Sequence, residues 1–184
     1  MKKDFDTNYH YNDMEIQNPT EIWPPKTVLI IGDSMVNQIN KERISDSLNK
    51  NIEVRSYGGA SINSLYVKLE ALLPKKPTTV ILHIGTHDTT YSTAITVLNE
   101  LLRLKHYIEK QDIEVIISCP IIRTDNKRAY SIIKDLRESI EKLKVFYILN
   151  TNIDETCLGK KGLHLNQRGV GRLAANLISL IRKL

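Results

Sequence analysis

Apolar residues follow two alternating patterns along the chain, short continuous runs and longer stretches with helical spacing. Apolar runs typical of strands buried on both faces lie at about 26–31, 79–84, 114–118 and 145–149, and a more polar, alternating run lies at 51–56. Between the runs, apolar residues at i, i+3, i+4 and i+7 predict helices at about 35–48, 62–73, 92–110, 129–143 and 166–181.

Strict alternation of strands and helices predicts an α/β fold with a parallel sheet covered on both faces. With five strands, the pattern favours a flavodoxin-like three-layer sandwich in strand order 2-1-3-4-5, with 51–56 at one edge. A chain of 184 residues fits one such domain.

Polar residues without a clear period fill positions 1–24, up to Trp23-Pro24. We interpret this segment as a flexible leader and residues 25–184 as the domain. The apolar runs are too short for a membrane span, and no apolar segment follows the N-terminal lysines as in a secretory signal. Two cysteines do not make a disulfide framework, so we expect an intracellular protein with reduced thiols.

Charge is unevenly distributed, with a net of −2 over residues 1–100 and +7 over residues 101–184, which together give +5. A basic half attracts phosphate or nucleic acid, and Lys160, Lys161, Arg168 and Arg172 lie near one another in the sequence. Interleaved acidic residues favour the other interpretation, an ordinary solvated surface. The sequence leaves the oligomeric state open.

Residues suited to acyl transfer follow the predicted strands. Parallel strands bring the loops at their carboxyl ends to one edge of the sheet, and these loops contain Gly32-Asp33-Ser34, Gly58-Gly59, Gly85-Thr86-His87-Asp88 and Gly162-Leu163-His164. A serine, a histidine and free glycine N–H groups are the components of a serine hydrolase site. Ser34 alone is more typical of a helix N-cap, and the partners further along the chain, His164 above all, favour a nucleophile instead.

Four blocks in this order resemble the SGNH (GDSL-like) hydrolase superfamily, in particular the branch found in or beside invertebrate retrotransposon polyproteins. The blocks are Ile31–Met35, Gly58–Ala60, His83–Asp88 and Gly162–Asn166. The resemblance runs from about Val28 to the C-terminus and implies an esterase without cofactor or metal, acting on a small-molecule, carbohydrate or lipid ester. It implies Ser34 as nucleophile and His164 as general base. The N–H groups of Ser34 and Gly59, with the side chain of His87, would form the oxyanion hole.

Two positions depart from the pattern of the superfamily. His87 stands where the superfamily has an asparagine that donates to the oxyanion, and Lys161 stands where it has the aspartate that orients the histidine. Asp154 and Glu155, earlier in the same loop, are candidate replacements for that acid, and a backbone carbonyl is another. Asp33, Gly85 and Asp88 are expected to support their own turns.

The departures leave a second hypothesis open, a weak or inactive SGNH-like domain that serves as a binding module, for example for nucleic acid within a mobile element.

A metal site at His83, His87 and His164 matches no standard zinc spacing. His83 is instead expected to pack or hydrogen bond within its strand. Arg123 and Asp125 either line the pocket or pair with each other. Cys119 and Cys157 are expected near the same edge of the sheet, without a clear catalytic role.

Overall fold

The computed structural model describes residues 22–184 and contains one five-stranded parallel sheet. Most of the predicted leader therefore lies outside the described residues. The strands are β1 Val28–Gly32, β2 Ile52–Ser56, β3 Thr79–His83, β4 Glu114–Ser118 and β5 Tyr147–Ile148. Their order is β2-β1-β3-β4-β5, which confirms the predicted topology and places β2 at one edge.

Helices cover both faces of the sheet. They are α1 Lys41–Leu48, α2 Leu65–Leu72, α3 Ala94–Glu109, α4 Lys127–Glu141 and α5 Gln167–Ile181. Helices α2 and α3 bury their apolar residues against one face, α1 and α5 against the other, and α4 contributes to both. Every position of β1 and β3 is buried, which explains why these strands are continuously apolar.

Side-chain caps fix where four of the helices begin. Asn40, Thr93, Asn126 and Asn166 each accept a hydrogen bond from the backbone N–H three residues later. These bonds satisfy donors that an uncapped first turn would leave open. The start of α5 after Asn166 is thereby confirmed.

Two element boundaries were predicted incorrectly. The helix expected at 35–48 is a 3-10 turn at Ser34–Val36 followed by the separate helix α1, because Asp33 caps the turn and Asn40 caps the helix. The fifth strand, expected over 145–149, pairs only at Tyr147–Ile148. Short polar side chains that bond nearby N–H groups interrupt helices in this way, and apolar spacing does not reveal it.

Candidate active site

Ser34 is the first residue of the short 3-10 turn that follows β1. Asp33 Oδ1 accepts from the Met35 N–H at 3.0 Å, and the Asp33 carbonyl accepts from Ser56 Oγ at 2.9 Å. The turn is therefore held by the side chain of Asp33 and by a hydrogen bond from Ser56 of β2. A three-residue turn carries little of the macrodipole of a long helix, so the expected helix-terminal field at Ser34 is weaker than a helix at 35–48 would supply.

The position before this turn accepts only glycine. A Cβ at Gly32 would lie 2.1 Å from the His83 carbonyl oxygen of β3. Gly32 and His83 are paired neighbours in the sheet, and Asp33 N–H donates to the same carbonyl at 3.2 Å. Close contact between the two strands thus sets the position of Ser34.

His164 lies in a tightly folded loop before α5. Gly159 N–H donates to the His164 carbonyl at 2.7 Å, and Gly162 N–H donates to the Gly159 carbonyl at 2.8 Å. Gly162 has a φ of +67° and packs so closely on the loop after β4 that a Cβ there would lie 2.1 Å from Thr124 Oγ1. The backbone of this loop therefore depends on a glycine, and it directs the histidine to the edge of the sheet.

The predicted serine and histidine meet. Ser34 Oγ lies 3.4 Å from His164 Nδ1, a long hydrogen bond at an exposed position. Hydrogen bonds between nucleophile and base are often long before substrate binds. Ser34 is half-buried and His164 exposed, so solvent reaches both.

Backbone donors are available beside the serine. Gly59 lies in the exposed turn after β2 with a φ of +69°. Within residues 22–184, the N–H groups of Ser34 and Gly59 donate to no protein acceptor. Unpaired N–H groups at an open edge of a sheet are suited to hold an oxyanion.

The third loop carries His87 and Asp88. The His87 ring packs against Tyr91, with 5.2 Å between ring centroids. Asp88 is buried and accepts from the Ile62 N–H with both carboxylate oxygens, each at 3.2 Å, which joins this loop to the one after β2. Burial raises the pKa of Asp88, and the bond from Ile62 opposes that rise. Gly85 has a φ of +117° and packs against Pro120.

Asp154, a candidate orienting acid, is engaged away from His164. Its carboxylate accepts from the backbone and hydroxyl of Thr156 and pairs with Arg172 at 3.1 Å. The bonds from Thr156, followed by that from Arg172, lower the pKa of this exposed group to about 2. Among the described residues, its hydrogen bonds do not include His164.

Asp125 is the carboxylate that the structure brings close to the histidine loop. Thr124 N–H donates to the Gly162 carbonyl at 2.7 Å, and Asp125 forms a two-bond fork with Arg123. Arg123 chiefly lowers the pKa of Asp125, and the charge of His164 contributes in the same direction. The sequence suggested the pair with Arg123, but the proximity to His164 depends on the pairing of two distant loops.

Ser34 opens into a small cavity of about 230 Å³. Its lining combines polar and apolar side chains: Ser34, Met35, Asn37, Gln38, His164, Leu165 and Val170.

Both cysteines are buried and free, and burial raises the pKa of Cys119 to about 12. The thiol of Cys119 is therefore not a nucleophile at neutral pH.

The predicted basic residues lie mostly at the surface. Lys160, Lys161 and Arg168 are exposed, whereas Arg172 pairs with Asp154. Among the described residues, no cluster of His, Cys, Asp and Glu is arranged to hold a metal ion. Within residues 22–184, no helix combines the length and apolar character that a membrane crossing requires.

Comparison of the sequence with family models and with curated proteins finds no match. Solved structures do match. A putative acylhydrolase from Bacteroides fragilis aligns over 99% of both chains with a TM-score of 0.72 at 16% identity. A GDSL-like lipase from Bacteroides thetaiotaomicron aligns over 86% of this chain and 88% of its own, with a TM-score of 0.71 at 15% identity.

An acetyl-xylooligosaccharide esterase from Geobacillus covers 88% of this chain and 96% of its own, with a TM-score of 0.69 at 14% identity. Identities this low establish architecture alone. The five-stranded parallel sheet, its strand order and its helices match the α/β fold of these GDSL-like lipases and acylhydrolases.

Proposed function

We propose that the chain is an SGNH-type serine hydrolase that cleaves an ester through an acyl-enzyme on Ser34. The observation that carries the proposal is the 3.4 Å contact between Ser34 Oγ and His164 Nδ1, at the edge of the sheet where the strands end. The neighbours of the same fold, which include lipases and esterases, support an ester substrate. Membership of the retrotransposon-associated branch stays a prediction from the sequence.

In the proposed reaction, His164 Nδ1 takes the proton of Ser34 Oγ as the oxygen attacks the ester carbonyl. The tetrahedral intermediate collapses to the acyl-enzyme when the C–O bond to the alcohol breaks and the imidazolium returns the proton to that alcohol. A water molecule then attacks the acyl carbon, with His164 again as base, and releases the acid and free Ser34.

The oxyanion would be held by the N–H groups of Ser34 and Gly59, which have no protein acceptor among the described residues. His87 would supply the third donor in place of an asparagine. Its ring packs on Tyr91, so donation requires the tautomer with its N–H toward the substrate. One donor of this kind contributes about 3–4 kcal/mol to transition-state stabilisation, and loss of it would leave a slow enzyme.

Two carboxylates compete for the role of orienting His164. With Nδ1 facing Ser34, the neutral ring must carry its proton on Nε2, and a nearby carboxylate favours that tautomer. Both carboxylates are bonded elsewhere, Asp154 to Thr156 and Arg172 and Asp125 to Arg123. Asp125 also lies on the loop that binds the Gly162 carbonyl, close enough for its charge to interact with that of His164. The geometry therefore favours Asp125.

Matched substitutions separate the two carboxylates. We expect Asp125→Asn to slow hydrolysis by about tenfold, because it removes a nearby negative charge that favours the His164 imidazolium, and Asp154→Asn to change it by less than about threefold. The measurement is the initial rate on a nitrophenyl acetate to octanoate series. The reverse ranking would assign the role to Asp154.

The first experiment is covalent labelling of purified protein with a fluorophosphonate probe. Wild type should be labelled, and Ser34→Ala and His164→Ala should not. Ser179→Ala, which removes an exposed serine on α5, is the matched control and should be labelled at the wild-type rate. Failure to label folded wild type would overturn the proposal.

The second candidate is a binding module of the same fold. The feature that favours it is charge, since residues 101–184 carry a net of +7 and Lys161 replaces the usual acid. Binding to single- and double-stranded oligonucleotides would then weaken steeply with salt and be indifferent to Ser34→Ala. Absence of labelling together with such binding would favour this candidate over the hydrolase.

A further inference from the structure

A chain of buried polar side chains lies beneath the nucleophile turn, although the proposed reaction does not use it. His83 and Ser118 are 0% exposed, Asn150 2% and Asp33 3%. They stand at the ends of β3, β4, β5 and β1, just below the edge that carries Ser34. Buried polar groups are costly unless they are hydrogen bonded, so the direction of each bond is informative.

The side-chain amide of Asn150 determines the direction of its hydrogen bond to Ser118. Asn150 Nδ2 lies 2.8 Å from the Cys119 carbonyl oxygen, which can only accept, and 3.0 Å from Ser118 Oγ. The two hydrogens of Nδ2 are therefore both used, one of them toward the serine. On its other side, Asn150 Oδ1 accepts from Asn176 Nδ2 at 3.0 Å, which agrees with the same orientation.

The direction of the Asn150 hydrogen bond determines that of the next one, which the Ser118 hydroxyl makes. This hydroxyl accepts from Asn150, and it lies 2.8 Å from His83 Nδ1. If Nδ1 carried a proton, the hydroxyl hydrogen of this fully buried serine would have no acceptor among the described residues. Ser118 Oγ–H therefore donates to His83 Nδ1, and the proton of the neutral ring is on Nε2.

Burial keeps this ring neutral. It lowers the pKa of His83, and Arg137 lowers it further, while the charge of Asp33 acts in the opposite direction. These are the charged groups that act on the ring. A neutral, Nε2-protonated histidine has one remaining donor, and it is buried.

The remaining donor and an unused acceptor lie on neighbouring residues. His83 Nε2 and Asp33 Oδ2 are both buried without a hydrogen-bond partner among the described residues. Asp33 N–H binds the His83 carbonyl at 3.2 Å, and a Cβ at Gly32 would lie 3.2 Å from the His83 Cβ, so the imidazole begins beside the Gly32–Asp33 backbone.

We propose that His83 is a positioning residue whose Nε2–H is joined to Asp33 Oδ2 through one buried water. Asp33 Oδ1 then stays on the Met35 N–H and holds the turn that presents Ser34. The consequence for catalysis rests on the proposed function, whereas the hydrogen bond does not. The chain Asn150–Ser118–His83–Asp33 would thus connect β5 to the nucleophile across the sheet.

The hydrogen bond is tested by long-range ¹H–¹⁵N NMR of the histidine rings in wild-type protein at neutral pH, with His83→Gln to assign the signal. We expect a neutral ring with unprotonated Nδ1 and a slowly exchanging Nε2–H. In Asp33→Asn, this Nε2–H should shift upfield, because the water that accepts it loses its carboxylate partner. An Nδ1-protonated ring, a charged ring, or an Nε2–H unaffected by Asp33→Asn would overturn the proposal.

The positioning role is tested by the rate of fluorophosphonate labelling, with folding checked by thermal melting. His83→Leu keeps volume but cannot donate, and we expect it to slow labelling by at least about tenfold. His83→Gln restores a donor and should label within about threefold of wild type. Equal rates for folded His83→Leu and wild type, or no rescue by glutamine, would overturn the role.

The outcomes separate the two proposals. Wild type that shows the expected ring state but no labelling contradicts the hydrolase and leaves the hydrogen bond supported. Labelled wild type with the opposite tautomer contradicts the role of His83 and leaves the hydrolase supported. If His83→Leu does not fold, the ring state and its response to Asp33→Asn decide.

Discussion

Single glycines control the geometry between Ser34 and His164. Gly162→Ala would place a Cβ 2.1 Å from Thr124 Oγ1 at a φ of +67°, so the histidine loop must shift. We expect a loss of at least about tenfold in labelling rate, because misplacement of about 1 Å costs up to a hundredfold. The control is Gly171→Ala in α5, where a Cβ meets no atom within 4 Å and alanine favours the helix. Wild-type labelling by Gly162→Ala would show that the loop tolerates the shift.

At the residue scale, the sequence identified Ser34 and His164 because both follow recognisable strands and belong to short motifs. It could not identify Asp125 as a neighbour of His164, since that proximity comes from a single backbone bond between Thr124 and Gly162. It also predicted that His83 would pack or hydrogen bond; the structure shows a bond with Ser118, whose direction the sequence does not give.

At the scale of elements, the turn at Glu155–Cys157 is fastened to α5 by Asp154. Its carboxylate accepts from Thr156 and pairs with Arg172, and its pKa falls to about 2. A carboxyl group with a lower pKa in the folded state stabilises the fold above its ordinary pKa, and that contribution is lost as the pH falls toward the folded value. The fall in stability between about pH 4 and pH 2, the acid limb, therefore includes a contribution from Asp154.

We expect Asp154→Asn to flatten this limb, measured as melting temperature against pH, because the amide cannot titrate. The variant should melt slightly below wild type at neutral pH and meet it near pH 2, and the difference should be small because the pair is exposed and screened by salt. Glu155→Gln, an exposed neighbour whose side chain makes no hydrogen bond within residues 22–184, is the control and should keep the wild-type slope. An equal acid limb in Asp154→Asn and wild type would contradict the assignment.

The central strands were predicted better than the first helix for a physical reason. The continuous apolar runs of β1 and β3 reflect burial on two faces, which the sequence records directly. The break between Ser34–Val36 and α1 depends on Asp33 and Asn40, whose side chains bond to local N–H groups. The sequence does not show whether an asparagine or aspartate within a helical pattern continues the helix or interrupts it.

At the scale of the whole molecule, the proposed active site is separate from the cores that stabilise the fold. Ser34 and His164 meet at an exposed edge through one long contact, whereas the two cores lie on the faces of the sheet below. Leu177 of α5 is 0% exposed in the core beneath β1 and β3. We expect Leu177→Ala to lower the free energy of unfolding by about 2–5 kcal/mol.

His164→Ala should instead change the free energy of unfolding by less than about 0.5 kcal/mol, because an exposed side chain with one long bond contributes little to stability. Urea unfolding of both variants, with labelling measured well below each midpoint, separates the two effects. Folded Leu177→Ala should be labelled and folded His164→Ala should not. A large loss of stability in His164→Ala would mean that the histidine supports the loop rather than the serine, and the argument for catalysis from the 3.4 Å contact would then fail.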